Sequence, residues 1–244
     1  MGEFNATISA GPYWACVFAL ALTCVVLCTW GRLRPGRWGP RAAKVIGVVL
    51  LSDCVVDTVR QLADGTWHVT TSLPLALCNF ALLVAAAACW WRLRLLVEVT
   101  YFWTLAGTVQ GLLTPDLNVP FPHLEFFEYV IGHTLIIVAA LFLVVGLRLA
   151  PRRGSVLRVT IITYIYVAVV GLVDALIGAN YMFLRAAPHQ WTLLRLMGPY
   201  PWYLVTGVVI VPLFFALLYS PFWVTRRREK FAVRPISASM RTRS

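Results

Sequence analysis

The chain carries seven apolar blocks near 20 residues long, at roughly 13–30, 42–60, 73–91, 95–113, 127–147, 157–178 and 202–222. A helix needs about 20 residues to cross roughly 30 Å of hydrocarbon. In lipid every backbone polar group must be satisfied internally, which leaves single helices and closed barrels. Barrel strands read as short alternating segments, and these blocks are continuous. The blocks therefore predict an all-α fold, a polytopic integral membrane protein with seven transmembrane helices.

Composition points the same way. Hydrophobic residues make up 60% and charged residues 13% of the 244, where a soluble domain carries about 25% charged residues. The net charge of +11 does not imply a nucleic-acid partner, because the basic residues are ordered by loop. The first loop holds Arg32, Arg34, Arg37, Arg41 and Lys44, the third Arg92 and Arg94, and the fifth Arg148, Arg152, Arg153 and Arg158. The C-terminal segment adds seven more, from Arg226 to Arg243, and only Arg60, Arg185 and Arg195 fall in the other loops. Short cytoplasmic loops are enriched in Lys and Arg. The alternation predicts an N-terminus outside, a cytoplasmic C-terminus and a multi-pass protein of the cell membrane.

The leader before the first block has no Lys or Arg and carries Glu3. A secretory signal needs a basic n-region, so this block is expected to be an anchor. Residues 1–224 form the expected transmembrane domain, and 225–244 a basic cytoplasmic tail lying on anionic headgroups or disordered. Trp38, Trp90 and Trp91 fit an inner aromatic belt, and Trp67, Tyr200, Trp202 and Tyr203 an outer one. Gly107 and Gly111 form a GxxxG, expected to serve close helix packing.

Polar residues inside a membrane are costly and default to functional hypotheses. With this topology nearly all of them fall in the outer half. Asp53, Asp57 and Arg60 share one helix face through their i, i+4, i+7 spacing. Cys78 and Asn79 follow on the third span, Gln110 and Asp116 at the end of the fourth, His133 on the fifth, and Asp174, Asn180 and Tyr181 on the sixth. Glu98, near the inner surface, is expected to pair with a neighbouring Arg. At about 1.5 Å per residue, Cys78 and His133 both lie roughly 8–9 Å below the outer boundary. A thiol nucleophile and its base need that shared depth. A free Cys is also often a small buried hydrophobe, and Asp57–Arg60 reads equally well as an ion pair or a substrate clamp. His123, Glu125, Glu128 and His133 have ligand-type side chains, but their spacing matches no zincin pattern, and no metal is expected. The six cysteines form no CxxC pair.

At these residues the sequence resembles the bacterial YwaF-type integral membrane proteins and their eukaryotic relative, transmembrane protein 164. The matching pieces are LPLALCNFA (73–81), WTLAGTVQGLLTPDL (103–117), the His of YVIGHTLII (129–137), GANYMFL (178–184) and GPYPWYL (198–204), in family order. The first two spans match in hydropathy alone. The resemblance implies acyl transfer between phospholipids by a catalytic Cys and His, and those roles fall on Cys78 and His133. The broader superfamily implies serine-hydrolase-like chemistry with a Thr nucleophile, so Cys78 points to transfer through a thioester.

The leading expectation is an acyltransferase or lipase of the outer leaflet, acting on a membrane phospholipid or lysophospholipid without a cofactor. Asn79, Gln110, Asp116, Asn180 and Tyr181 are the expected substrate-binding residues, with Asn79, Gln110 or Asn180 as donors to the oxyanion. The alternative is a non-enzymatic transporter or ligand-binding protein whose site holds Asp53, Asp57, Arg60 and Asp174. A thiol redox protein using Cys16 and Cys78 is a third reading.

Overall fold

The computed structural model describes residues 10–34, 36–113, 115, 121–187 and 196–238, and these contain helices and no strand. The helices are α1 (Ala10–Leu33), α2 (Trp38–Ala63), α3 (Leu77–Trp91), α4 (Arg94–Trp103), α5 (Val109–Leu113), α6 (Leu124–Leu141), α7 (Ser155–Ile177) and α8 (Trp202–Ala238). A π-helical turn, Thr104–Thr108, joins α4 to α5 as one rod, and a second, Phe142–Gly146, extends α6. Counted as rods, the described helices number seven, one in each apolar block.

Four of them are long and apolar enough to cross a membrane: Gly11–Leu33, Leu124–Gly146, Ser155–Ile177 and Trp202–Arg226. The others depart from that standard for separate reasons. α2 carries Arg41, Lys44, Asp53, Asp57 and Arg60. α3 has only 15 residues. The α4–α5 rod is interrupted by its π-turn.

α6 is the central rod, flanked by α1, α2, α3 and the first π-turn. α3 presents Ala81, Ala85, Ala86, Ala88 and Cys89 to the core, and small residues let backbones approach where apolar burial drives no association in lipid. On the facing helix, a Cβ at Gly47 would come within 3.1 Å of the Ala86 carbonyl oxygen. Polar tips reach across the core. Tyr13 Oη donates to the Leu112 carbonyl at 2.7 Å and Trp103 Nε1 to Thr163 Oγ1 at 2.8 Å. Outward faces are apolar. On α7, Leu157, Ile161, Ile165, Val169, Leu172 and Leu176 are all exposed at helical spacing, as expected of a lipid-facing stripe.

Glu98 is 1% exposed and accepts from Arg152 Nε at 2.9 Å and Arg158 Nη2 at 3.1 Å, the pairing expected of it. Three local expectations are corrected. The third block is helical only from Leu77, because Pro74 lacks an N–H and disfavours helix at the residue before it. α8 does not end at 222 but runs through the basic stretch to Ala238. Tyr203 is buried, donating to the Phe183 carbonyl; Trp38 and Trp67 are half-buried, and Trp90, Trp91, Tyr200 and Trp202 are exposed.

Candidate active site

A cavity of about 270 Å³ opens between α2, the start of α3 and α6. Its wall holds Cys78 and Asn79 from α3, His133 from α6, and Asp53, Asp57 and Arg60 from α2. The i, i+4, i+7 face read from the sequence thus points into the same space as the thiol and the imidazole.

Cys78 is the second residue of α3, after Ala76 in extended conformation as the N-cap. The first intrahelical bond of this helix runs from Phe80 N to the Ala76 carbonyl at 3.0 Å. The N–H groups of Leu77, Cys78 and Asn79 precede it, so they belong to the donors a helix N-terminus leaves unused. Negative charge is favoured at such a terminus. On its other side the Cys78 thiol lies beside Thr108 in the first π-turn. That hydroxyl is buried and makes no conventional hydrogen bond among the described residues. Leu77 locks the two elements together, since a Cβ on Gly107 would come within 2.7 Å of its Cδ2.

His133 is held by its own helix. Nδ1 lies 2.9 Å from the Tyr129 carbonyl oxygen, and the Tyr129 ring stacks on the imidazole at 4.2 Å between centroids. Tyr129 Oη donates to the Gly111 carbonyl at 2.7 Å. Gly111 approaches the imidazole so closely that a Cβ would stand 3.3 Å from Nε2. Both glycines of the GxxxG are therefore points of close approach, one against Leu77 and the other against His133. Among the described residues no hydrogen bond joins Cys78 to His133; they face the cavity from separate helices.

Arg60 ties α2 to α6. It donates through Nη2 to Asp57, Nη1 to Glu125 and Nε to Glu128, each at 2.8 Å. Gln61 Nε2 takes the second oxygen of Asp57 at 2.8 Å.

The remaining sequence-derived site residues are not assembled here. Gln110 is half-buried and outside the wall of this cavity. Asp116 lies outside the described residues. Asn180 uses its side chain to hold a turn, Oδ1 accepting from Arg185 N at 2.9 Å and Ala186 N at 3.1 Å. Tyr181 Oη donates to the Val69 carbonyl and accepts from Leu73 N, both at 2.9 Å, which pins the segment leading into α3. Asp174, buried, accepts from Tyr181 N at 3.0 Å. Cys16 packs beside Tyr13 and Phe126 in a separate apolar cluster, and all six cysteines are free.

Thr58, Ser72 and Tyr129 also line the cavity and were not singled out from the sequence; of these Tyr129 touches His133. Its signal was present: it precedes His133 by four residues, one helical turn on the same face. Glu125 and Glu128, which have ligand-type side chains, hold Arg60.

A model of the TMEM164 family matches residues 7–219. No curated protein and no solved structure matches the chain.

Proposed function

The chain belongs to the TMEM164 family, and we propose that it is a membrane-embedded phospholipid acyltransferase, in the manner of the eukaryotic transmembrane protein 164 it resembles, with Cys78 as nucleophile and His133 as base. The observation that carries this reading is the placement of both side chains on the wall of one cavity of about 270 Å³, between helices of a membrane protein.

The chemistry follows from the contacts. A carbonyl can only accept, so His133 Nδ1 carries the proton it shares with Tyr129, and Nε2 of the neutral ring keeps its lone pair. Nε2 takes the thiol proton of Cys78. The thiolate attacks the ester carbonyl of a phospholipid, and the unused N–H groups at the start of α3 receive the oxyanion. The carbon–oxygen bond of the ester then breaks, and His133 returns its proton to the departing lysolipid oxygen. In the second half an acceptor hydroxyl gives its proton to His133 and attacks the thioester, and the sulfur leaves as thiolate. Water in place of that hydroxyl makes the reaction a lipase's.

The same reading takes all seven rods as spans of the cell membrane, with the N-terminus outside, the cytoplasmic side holding the basic loops, and 225–244 as a basic tail beyond the 1–224 domain. It places the cavity in the outer leaflet. Asn79 remains a substrate contact because it lines the cavity.

One observation favours the second reading, a ligand-binding or transport protein without catalysis: the carboxylates and Arg60 that share the cavity. Purified protein given a phospholipid with a labelled acyl chain and an unlabelled lysolipid separates the two. Transfer in the native chain and its loss in Cys78→Ala support the enzyme. Full transfer by purified Cys78→Ala would falsify the Cys–His mechanism.

A further inference from the structure

We propose that Thr108 is the hydrogen-bond donor that holds the Cys78 sulfur in its charged form, and so a third member of the candidate site. For its consequence in catalysis the inference rests on the acyl-transfer reading. It starts from how threonines are used in these helices. Thr23, Thr58, Thr163, Thr206 and Thr225 each turn the hydroxyl back onto the carbonyl four residues earlier, the usual local partner of a helical Thr. Thr108 does not. It closes the π-turn, where the Thr104 carbonyl goes to Val109 N–H in the wider i→i+5 pattern. Its own Oγ1 is enclosed and has no hydrogen-bond partner among the described residues. Thr108 is fully buried, and a buried hydroxyl left unpaired is costly.

Thr100, Thr104 and Thr134 hold enclosed, unpartnered hydroxyls too. What sets Thr108 apart is its neighbour: its hydroxyl is close enough to the Cys78 thiol to interact with it. The backbones on either side hold the two together. α3 packs on the π-turn, and the contact is tight at the adjoining pair, since a Cβ on Gly107 would come within 2.7 Å of Leu77 Cδ2. The separation of Thr108 from Cys78 is thus set by helix packing and not by a mobile side chain.

A hydroxyl has one donor and rotates to suit its acceptor. Neutral sulfur is a weak acceptor, so the resting thiol asks little of it. When the Sγ proton passes to His133 Nε2, the sulfur takes a full negative charge in surroundings without water, and the Thr108 O–H turns onto it as a charge-assisted hydrogen bond. No bond within Thr108 breaks. The contact weakens as the sulfur's electron pair passes to the ester carbonyl carbon, and it returns when the thioester releases the thiolate. Thr108 therefore serves the sulfur both as it attacks and as it leaves.

The test reads the thiol itself, so its outcome does not depend on transfer. The full native chain, Thr108→Val and Thr108→Ser are reconstituted in nanodiscs of phosphatidylglycerol and treated with iodoacetamide, and the rate of alkylation at Cys78 is followed by mass spectrometry of its peptide. The thiolate is the species that reacts. Thr108→Val puts a methyl in place of the hydroxyl at nearly the same volume and should slow alkylation of Cys78 roughly tenfold. Alkylation of Cys54, on the same cavity wall, should not change and reports access. Thr108→Ser keeps the hydroxyl and should restore the native rate at Cys78. In a transfer assay Thr108→Val should lower kcat roughly tenfold at unchanged KM, because the bond forms only once the sulfur is charged. Slowing by Thr108→Val with rescue by Thr108→Ser, in a chain that shows no transfer, supports the role of Thr108 and counts against the acyl-transfer reading alone. Transfer by the native chain, with Cys78 alkylated as fast in Thr108→Val, keeps the enzyme and overturns the proposal. Equal slowing in Thr108→Val and Thr108→Ser overturns it as well, because the methyl and not the hydroxyl is then the part that matters. So does a Cys78 that iodoacetamide leaves untouched in the native chain, where no thiolate is held.

Discussion

The ring of His133 is fixed by Tyr129 twice over: Nδ1 lies 2.9 Å from the Tyr129 carbonyl oxygen, and the phenol ring stacks on the imidazole at 4.2 Å. The backbone contact sets the tautomer and the stacking sets the orientation. Tyr129 Oη in turn reaches the Gly111 carbonyl at 2.7 Å, so the assembly is clamped to the neighbouring rod. Tyr129→Ala keeps the carbonyl and removes the ring and the clamp. Transfer should fall by at least tenfold, mostly in kcat, because a misplaced base loses proximity rather than substrate binding. Tyr129→Phe retains the stacking and loses only the hydroxyl, at a stability cost of about 1 kcal/mol. A kcat for Tyr129→Phe as low as that of Tyr129→Ala would shift the role from the ring to the hydroxyl.

Gly111 and Gly107 make a matched comparison. A methyl at Gly111 would stand 3.2 Å from His133 Cδ2 and 3.3 Å from Nε2, whereas one at Gly107 would meet Leu77 Cδ2 at 2.7 Å. The first obstacle is a ring held on two sides. The second is the end of a rotatable side chain, which can move, although overpacking still costs about 1–3 kcal/mol. Gly111→Ala is expected to lower transfer more than Gly107→Ala, and Gly107→Ala to lower Tm with activity largely kept. Measuring both variants for both quantities tests the crossover.

The architecture was legible because membrane helices announce themselves by length and hydropathy, and each apolar block holds a rod. The shared face of Asp53, Asp57 and Arg60 was legible from helical periodicity, and Cys78 and His133 from depth together with resemblance. What the sequence did not disclose depends on side-chain reach between elements. Asn180 and Tyr181 have the residue types of a binding site, yet turn bonds and the anchoring of the segment before α3 consume their polar atoms. Depth alone does not separate Asn180 from Asn79, because depth says nothing of azimuth around the bundle. Glu125 and Glu128 depend likewise on whether Arg60 extends to α6.

Glu98 offers a stability test away from the cavity. Its carboxylate is 1% exposed and receives Arg152 and Arg158, whose side chains are 50% and 39% exposed. Glu98→Gln keeps the volume and removes the charge that both guanidinium groups address. Hydrogen bonds to charged groups contribute about 1.5–3 kcal/mol each, but the half-exposed arginines can turn to water, so a net loss of about 2 kcal/mol is expected. Thermal unfolding in detergent checks it, and an unchanged Tm would mean the cluster contributes nothing to stability.

The sharpest expectation concerns His133 and the cysteines taken together. His133→Ala removes the base, and general-base catalysis contributes roughly 10²–10⁴-fold, so transfer should drop by that factor with the fold intact. Cys78→Ser places an alcohol where the thiol stood. An alcohol is harder to deprotonate and a poorer nucleophile, so Cys78→Ser should also lose nearly all transfer. Cys16 and Cys54 provide the controls. Cys16 sits with Tyr13 and Phe126 outside the cavity. Cys54 lines it from α2, but its helix does not end there and offers no free N–H groups for an oxyanion. Cys16→Ser and Cys54→Ser should therefore retain transfer. Trapping the acyl-enzyme with a labelled donor and no acceptor gives the direct reading: a hydroxylamine-sensitive acyl group on Cys78 in the native chain, absent in Cys78→Ser and slow to form in His133→Ala. Label on Cys54 instead would move the nucleophile to α2 while leaving His133 as its base.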